Sequence, residues 1–470
     1  MRRSHLTWCG RAGAVLLVVA LVTMALPRGR AIAQTSDPAV VGQWSGVQQW
    51  PVVAVHSHLL PTGKVMFWPY SDAPYQWDPA TAAIAPLANA GYNLFCSGHS
   101  SIGDGRLFVT GGHIRNNFGL DNASYYNPFT NTWTALPRMN AGRWYPTNTT
   151  LANGDVLVVT GDNNRRNNDL PQVWQVATGT WRDLTTARLV QPLYARMFLA
   201  PNGRVFFAHD TSRYLDTSGT GTWTTVGSMR VNGRSNYGSA AMYEPGKVIF
   251  VGGVDPPTNT AEVIDLNQAT PQWQFTGSMA NARRQLNVTL LPDGTLLATG
   301  GSSARGFDEP SGAVHAAELW NPATGTWSTM ASCTQYRGYH STALLLPDGR
   351  VLSAGGDNHP NAEVYSPPYL FKGARPTISS APSSISYGQT FTVDTPDASS
   401  IAQVRWLRLG SVTHANNMDQ RFMRLSFAVG SNSLTVTAPS DPRISPPGYY
   451  MLFLLNGNGV PSVAKIIRIG

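Results

Sequence analysis

The chain has 470 residues, of which 13% are charged, and it contains 45 glycines and 33 prolines. This composition favours short strands joined by tight turns. Five of the 34 basic residues and none of the 26 acidic residues lie in residues 1–33, so the remainder is nearly neutral despite a formal net charge of +8. Beyond residue 33 no cluster of Lys and Arg argues for a nucleic-acid partner.

Residues 1–33 have the pattern of an export signal. Arg2 and Arg3 precede an apolar run over residues 12–26, and Ala31-Ile-Ala33 is a small-x-small cleavage site. The run is too short for a membrane span, which needs about 20 apolar residues. We therefore expect a secreted, extracellular protein with no membrane attachment after cleavage. The arginine pair leaves both the general secretory route and the twin-arginine route open.

Residues 34–370 carry a repeat marked by a turn glycine followed by a hydrophobic strand. Successive turn glycines are separated by 42, 49, 49, 43, 48 and 55 residues. A period of 40–50 residues is the range of β-propeller blades. The turn glycines are Gly63, Gly105, Gly154, Gly203, Gly246, Gly294 and Gly349.

Two further features recur with this period. Strands end in paired glycines, as in Leu107-Phe-Val-Thr-Gly-Gly112, and most units close with a tryptophan. Both are typical of the kelch form of the blade. The sequence therefore predicts an all-β, seven-bladed kelch propeller. The closing tryptophans are Trp133, Trp181, Trp223, Trp273 and Trp327.

The residues nine positions before each turn glycine should form one ring around the propeller axis, because equivalent positions in a radial repeat lie at one level. These residues include a thiol, three phenols, an amide and an imidazole, which a purely space-filling ring would not favour. The set is Ala54, Cys96, Tyr145, Tyr194, Tyr237, Gln285 and His340.

The pattern changes near Pro367-Pro368 and Arg375-Pro376. Alternating runs such as Thr390-Phe-Thr-Val393 and Leu434-Thr-Val-Thr437 follow. About 95 such residues make a small sandwich. We therefore predict a C-terminal immunoglobulin-like β-sandwich over residues 371–470.

The chain as a whole resembles the kelch-propeller copper radical oxidases, galactose oxidase and glyoxal oxidase. The residues that carry the resemblance are Asn93-Leu-Phe-Cys-Ser-Gly98, Gly142-Arg-Trp-Tyr145, Gly338-Tyr-His-Ser341 with Leu345-Leu-Pro-Asp-Gly-Arg350, Thr413-His414 with Asp419-Gln-Arg421, and Pro447-Gly-Tyr-Tyr-Met-Leu-Phe-Leu-Leu455.

The resemblance implies a copper ion held by Tyr145, Tyr339, His340 and His414, with Cys96 joined to Tyr145 by a thioether. Nitrogen and oxygen ligands of this kind suit Cu(II). The nine-residue offset from the turn glycines supports part of this residue set independently, because it places Cys96 and Tyr145 next to each other in the ring. His414 would come from the second domain, which must then reach the axis.

The resemblance also implies the chemistry. A small aldehyde, as its hydrate, or a primary alcohol is oxidised by dioxygen with release of hydrogen peroxide, and Tyr339 accepts the proton. Tyr194, Arg196, Phe307 and Trp144 are candidate substrate-pocket residues. A monomer is expected.

Two departures favour the glyoxal oxidase branch. Asn163 stands where galactose oxidase has a tryptophan stacked on the cross-linked tyrosine, whereas Trp144 resembles glyoxal oxidase. The propeller pattern also begins by Trp44, without the carbohydrate-binding domain that precedes it in galactose oxidase.

Three alternatives remain open on the sequence. Cys96 and Cys333 could form a disulfide, since an exported chain meets an oxidising compartment. The propeller could be a non-catalytic binder of glycan or protein, or a copper-loaded relic without turnover.

The consecutive residues Tyr339 and His340 can both reach one metal only on irregular backbone, since successive strand residues face opposite sides.

Overall fold

The computed structural model describes residues 36–470. The predicted export signal at residues 1–33 lies outside them. Within the described residues, helix is limited to one short α-helix, Pro38–Val41, and three 3-10 turns, Pro310–Gly312, Pro368–Phe371 and Ala398–Ser400. No helix of residues 36–470 is long and apolar enough to cross a membrane.

Seven antiparallel sheets follow one another along the chain and confirm the predicted propeller. Blades 1 to 3 consist of His56–Leu59, Val65–Trp68, Tyr75–Trp77 and Ile84–Pro86; Ser97–Ser101, Leu107–Gly111, Ala123–Asn127 and Thr132–Ala135; and Thr147–Thr150, Val156–Val159, Gln172–Gln175 and Thr180–Asp183.

Blades 4 to 6 have the same four-stranded form. They consist of Arg196–Leu199, Val205–Ala208, Thr211–Asp216 and Thr222–Ser228; Ser239–Glu244, Lys247–Val251, Ala261–Asp265 and Gln274–Phe275; and Asn287–Leu290, Leu296–Thr299, Ala316–Asn321 and Thr326–Ser332. Two small hairpins, His113–Arg115 with Phe118–Gly119 and Asp162–Asn163 with Arg166–Asn167, extend blades 2 and 3.

Blade 7 is closed by the N-terminal segment. Its own strands are Ser341–Leu345, Val351–Gly355 and Asn361–Ser366, and Gln43–Trp44 and Gln48–Gln49 pair with the last of them. The N-terminal segment thereby supplies the outer strand of the last blade. This closure removes the exposed edge that the last blade would otherwise leave.

The repeated glycine and tryptophan each have a structural cause. All seven turn glycines have φ between 76° and 90°, which side chains with a Cβ rarely adopt. In the outer strands, the Trp133 indole donates to the carbonyl of Ala88 at 2.7 Å. The Trp327 indole likewise donates to the carbonyl of Gly277 at 2.8 Å. Each tryptophan therefore ties its blade to the preceding one.

The C-terminal segment forms the predicted β-sandwich. Its five-stranded sheet consists of Ser384–Ile385, Lys465–Ile469, Gly448–Asn456, Ile401–Arg408 and Phe422–Leu425, and its three-stranded sheet of Thr390–Asp394, Ser433–Thr437 and Phe427–Val429.

One hairpin leaves this sandwich and enters the propeller. Ser411–Thr413 pairs with the innermost strand of blade 1, His56–Leu59, and continues through a turn into Asn416–Asn417. The hairpin also contacts the innermost strands of blades 2, 5 and 7. It therefore carries His414 into the centre of the propeller, as the sequence analysis required.

Candidate metal centre

The ring around the axis is built from backbone that L-residues rarely adopt. Six of its seven members have φ between 49° and 68°, and only Ala54 does not. Each of the six stands directly before or two residues before an innermost strand. Non-glycine residues in this region cost about 1–3 kcal/mol each and cluster at functional sites. The repetition of this conformation in six blades therefore indicates that the ring is a functional site.

Backbone hydrogen bonds join ring members of neighbouring blades. The amide of Tyr145 donates to the carbonyl of Cys96 at 2.9 Å, and that of Tyr194 to Tyr145 at 3.0 Å. The amide of Gln285 donates to Tyr237 at 2.7 Å in the same way. Cys96 and Tyr145 are thus direct neighbours, as the nine-residue offset predicts.

Two phenols meet in the centre. The hydroxyl oxygens of Tyr145 and Tyr339 are 2.5 Å apart, and both side chains are buried. Burial, followed by the nearby Cys96 thiol, raises the pKa of Tyr145 well above its ordinary value. Burial, followed by Tyr237, does the same to the pKa of Tyr339. Both phenols therefore stay protonated unless a cation stabilises the phenolate.

Two imidazoles complete the group. The ring of His414 lies 4.3 Å from that of Tyr145, and the ring of His340 lies 3.9 Å from that of Tyr339. The two imidazoles are 4.5 Å apart. Their Nε2 atoms are both buried without a hydrogen-bond partner. Buried polar atoms generally need a partner, and a cation held by these two nitrogens and the two phenol oxygens would supply one.

The Nδ1 atoms of both imidazoles are engaged. His340 Nδ1 lies 2.5 Å from a carboxylate oxygen of Asp357, and His414 Nδ1 lies 2.6 Å from the hydroxyl of Thr413. With Nδ1 held in each ring, Nε2 is the atom left to bind a metal. Burial, followed by the charge of His340, lowers the pKa of His414 well below its ordinary value, so the ring is neutral as a ligand must be.

The consecutive residues Tyr339 and His340 reach the same point because the strand has not yet begun. His340 has a φ of 62°, and the regular strand starts at Ser341. The amides of Gly356 and Asp357 donate to the carbonyls of His340 and Tyr339 at 3.1 and 3.0 Å. This is the irregular backbone that the sequence analysis required.

Trp144 covers the face of Tyr145. The two rings are 3.7 Å apart and nearly parallel, with planes at 9°. Asn163 lies in the neighbouring hairpin, where Asp162 exchanges two backbone hydrogen bonds with Trp144 at 2.8 and 2.9 Å. The stacked indole thus comes from the residue adjacent to the tyrosine.

Cys96 and Cys333 are both buried and free, so the structure contains no disulfide between them. Burial raises the pKa of the Cys96 thiol well above its ordinary value, although hydrogen bonds with Tyr145 and Trp144 oppose the shift. Cys96 therefore lies against the phenol as a neutral thiol.

A cavity of about 450 Å³ opens over this group. Its wall includes Trp144, Tyr145, Tyr194, Tyr237 and Tyr339. Two larger cavities, at the outside of blade 5 and between blade 5 and the sandwich, contain none of these residues.

The candidate pocket residues have different surroundings. Tyr194 is buried and stacks on Tyr145 at 4.6 Å. Phe307 is 53% exposed and lies edge-on to Tyr339 at 4.6 Å, but it is not among the residues that line the cavity.

Arg196 borders the cavity, but its guanidinium is committed to backbone. It donates to the carbonyls of Tyr194, Gly238 and His414 at 2.5, 2.8 and 3.3 Å. Burial lowers the pKa of Arg196 to about 9. Its contacts make it a tie between blades 4 and 5 and the inserted hairpin.

Sequence reasoning left out several residues that border the group. Tyr237 lies edge-on to Tyr339 at 5.6 Å, although the ring offset had already placed it nearby. His113 accepts from the Trp144 indole at 3.1 Å. His56 accepts from the Cys96 amide at 3.2 Å. Only tertiary contacts, rather than a sequence motif, could reveal these last two.

The candidate metal centre differs from sites built only of imidazole, thiol and carboxylate ligands. In the described part of the chain, no cluster of three or more His, Cys, Asp or Glu side chains could hold a metal. The candidate site uses two phenols instead.

Comparisons with known proteins agree with this geometry. The family described as "Glyoxal oxidase N-terminus" matches residues 73–245, and "Galactose oxidase-like, Early set domain" matches residues 375–469. A solved structure described as a "novel fungal alcohol oxidase with catalytic diversity among the AA5 family, in complex with copper" aligns with a TM-score of 0.83 at 28% identity. The alignment covers 91% of this chain and 99% of that one.

Curated relatives extend over nearly the whole chain. Galactose oxidase of Gibberella zeae is 30% identical, over 94% of this chain and 72% of its own length. Aldehyde oxidase GLOX of Vitis pseudoreticulata is 28% identical, over 80% of this chain and 82% of its own. The chain therefore belongs to the copper radical oxidase family that includes galactose oxidase and glyoxal oxidase, and it is an oxidase.

Proposed function

We propose that this oxidase holds copper through Tyr145, Tyr339, His340 and His414. The observation that carries the proposal is the pair of imidazoles with buried, unpartnered Nε2 atoms, whose rings lie 4.3 and 3.9 Å from those of Tyr145 and Tyr339, the two phenols in contact at 2.5 Å. Two imidazole nitrogens and two phenol oxygens form a donor set that suits Cu(II). When bound, copper supplies a one-electron redox centre and the positive charge that stabilises phenolate.

We further propose a thioether between the sulfur of Cys96 and the ring of Tyr145. Its formation removes the thiol hydrogen and one ring hydrogen, and the two electrons and two protons pass to dioxygen. Two features of the chain support it: the buried free thiol and the backbone contact of 2.9 Å between the two residues. A sulfur substituent makes a phenolate easier to oxidise.

In the catalytic cycle, the residues have separate tasks. Tyr339 would accept the hydroxyl proton of the substrate, since its oxygen lies against that of Tyr145 and its side chain lines the cavity. The cross-linked Tyr145, in its one-electron oxidised form, would take the hydrogen atom from carbon, and bound copper would supply the acceptor for the remaining electron. The flat contact with Trp144 keeps water from one face of the Tyr145 ring. Dioxygen would then take up the two electrons and two protons and leave as hydrogen peroxide.

The proposed substrates are small aldehydes, as hydrates, and primary alcohols. The support is the aromatic wall of the 450 Å³ cavity and the stacking of Trp144, the residue that resembles glyoxal oxidase. The enzyme would act outside the cell after removal of residues 1–33, since their pattern is that of an export signal.

Peroxide release tests the proposed function. The copper-loaded protein should release hydrogen peroxide with members of a panel of small aldehydes and primary alcohols, whereas the metal-free protein should not. A matched variant, Tyr339→Phe, removes one hydroxyl and should lose most of this activity. Equal peroxide release with and without copper would refute the proposal.

A further inference from the structure

Asp357 occupies a position that sequence reasoning did not single out. It follows the strand Val351–Gly355 of blade 7, and its carboxylate oxygen lies 2.5 Å from His340 Nδ1. Its backbone amide donates to the carbonyl of Tyr339 at 3.0 Å. One residue therefore holds both the backbone of one proposed ligand and the side chain of the next.

A second residue fixes the carboxylate from the other side. The hydroxyl of Tyr70, which follows strand Val65–Trp68 of blade 1, donates to the same oxygen of Asp357 at 2.5 Å. The Tyr70 ring also lies edge-on to His340 at 5.4 Å. Blades 1 and 7 thus converge on His340, and Asp357 is held at the junction.

These contacts engage the Nδ1 side of the His340 ring. Asp357 Oδ1 accepts from the hydroxyl of Tyr70 and has His340 Nδ1 as its second partner. A carboxylate oxygen accepts, so Nδ1 is the donor and Nε2 is the nitrogen left to bind a metal.

His414 has the same tautomer but a weaker partner. The Thr413 hydroxyl donates to the carbonyl of Val55 at 3.0 Å, so it can only accept from His414 Nδ1. This partner is a hydroxyl, whereas the partner of His340 is a carboxylate. Hydrogen bonds to ionised groups are roughly twice as strong as neutral ones.

We infer that Asp357, held by Tyr70, is a positioning residue that orients His340 and strengthens it as the firmer of the two imidazole ligands. The inference rests on the proposed copper site. Carboxylate partners of ligating histidines fix the ring and increase its donor strength, and their loss typically weakens metal binding about 10–100-fold. Thr413 should matter less, because it supplies no charge.

Copper affinity of the full-length protein tests the inference. Metal-free protein would be titrated with Cu(II) against a competing chelator, and the bound ion examined by electron paramagnetic resonance. Asp357→Asn should bind copper about 10–100-fold more weakly, with altered nitrogen coupling. Tyr70→Phe should shift affinity in the same direction by less. Thr413→Val should weaken copper binding less than Asp357→Asn does.

Asp348→Asn is the matched control, because Asp348 lies in the turn of the same blade and bonds Arg350. It should keep the parental affinity. Parental copper affinity and spectrum in both Asp357→Asn and Tyr70→Phe would overturn the inference while leaving the proposed site intact. Failure of the parent protein to bind copper would instead overturn the proposed function. Should Asp357→Asn not fold, Tyr70→Phe alone decides.

Discussion

Trp144 and Tyr145 are adjacent in the chain, and yet their rings lie face to face, 3.7 Å apart with planes at 9°. Consecutive residues in a strand would point to opposite sides. The contact is possible because Tyr145 has a φ of 68° and turns its ring back onto its neighbour. The same left-handed backbone that places the phenol in the ring therefore also covers it.

Trp144→Phe should shorten the lifetime of the oxidised protein without preventing copper binding. An aromatic stack contributes about 0.5–1.5 kcal/mol, so the oxidised form should decay about 2–10-fold faster. The decay of its visible absorption would measure this. A variant that decays at the parental rate would show that the stack does not protect Tyr145.

Copper-loaded protein should contain the Cys96–Tyr145 thioether, two hydrogens lighter than the separate residues. Peptide mass mapping under reducing conditions would detect it, because a thioether survives reduction. Cys333→Ser should leave the cross-link unchanged, since the Cys333 thiol donates a hydrogen bond to the carbonyl of Gln335 instead. Recovery of Cys96 as an alkylated free thiol would contradict the assignment.

The repeat made the fold and part of the site predictable. Every blade needs one turn with positive φ between its first two strands, so the glycines mark the blades. The first strand varies from four to six residues, but the position nine residues before the turn glycine has a positive φ in six of the seven blades, and this offset therefore identifies the ring. His414 was found only through the family resemblance, since it belongs to no blade.

Other parts could not be read from the sequence. The contact between Tyr70 and Asp357 joins residues 287 positions apart, and it exists only because the circle of blades closes. The strand Gln43–Trp44 that closes the circle has two residues, too few to show a periodic pattern. Both features depend on tertiary closure rather than on local propensity.

Glyoxal or methylglyoxal should be better substrates than galactose. Trp144 and Tyr237 place aromatic rings in the wall of the cavity, which favours small molecules over a polar sugar. Peroxide release at equal substrate concentration compares them. Turnover of galactose that equals or exceeds that of both aldehydes would contradict the preference.

The pH dependence of stability should include a contribution from His58. Burial, followed by the charge of Arg408, lowers the pKa of His58 to about 3. The unfolded chain binds a proton near pH 6.5 and the folded chain does not, so stability falls as pH drops from about 6.5 towards 3. His58 alone should lower the free energy of unfolding by about 2 kcal/mol between about pH 7.5 and pH 5.

Denaturant unfolding of the parent and His58→Gln at both pH values measures this contribution. The parent should lose about 2 kcal/mol more than the variant on acidification. His56 and His99, whose pKa values burial also lowers, remain in both proteins, so the comparison measures the contribution of His58 together with its effect on His99. Equal losses in the two proteins would show that His58 is protonated in the folded state.

In the proposed function, one copper site draws its ligands from both the propeller and the inserted hairpin. Copper binding by His414→Ala tests it most directly, with His209→Ala as the control, since the His209 ring stacks on Phe207 in blade 4. We expect His414→Ala to stay folded but to lose tight copper binding, the thioether and peroxide release together, while His209→Ala retains all three. Parental copper affinity and turnover in His414→Ala would contradict the proposed ligand set.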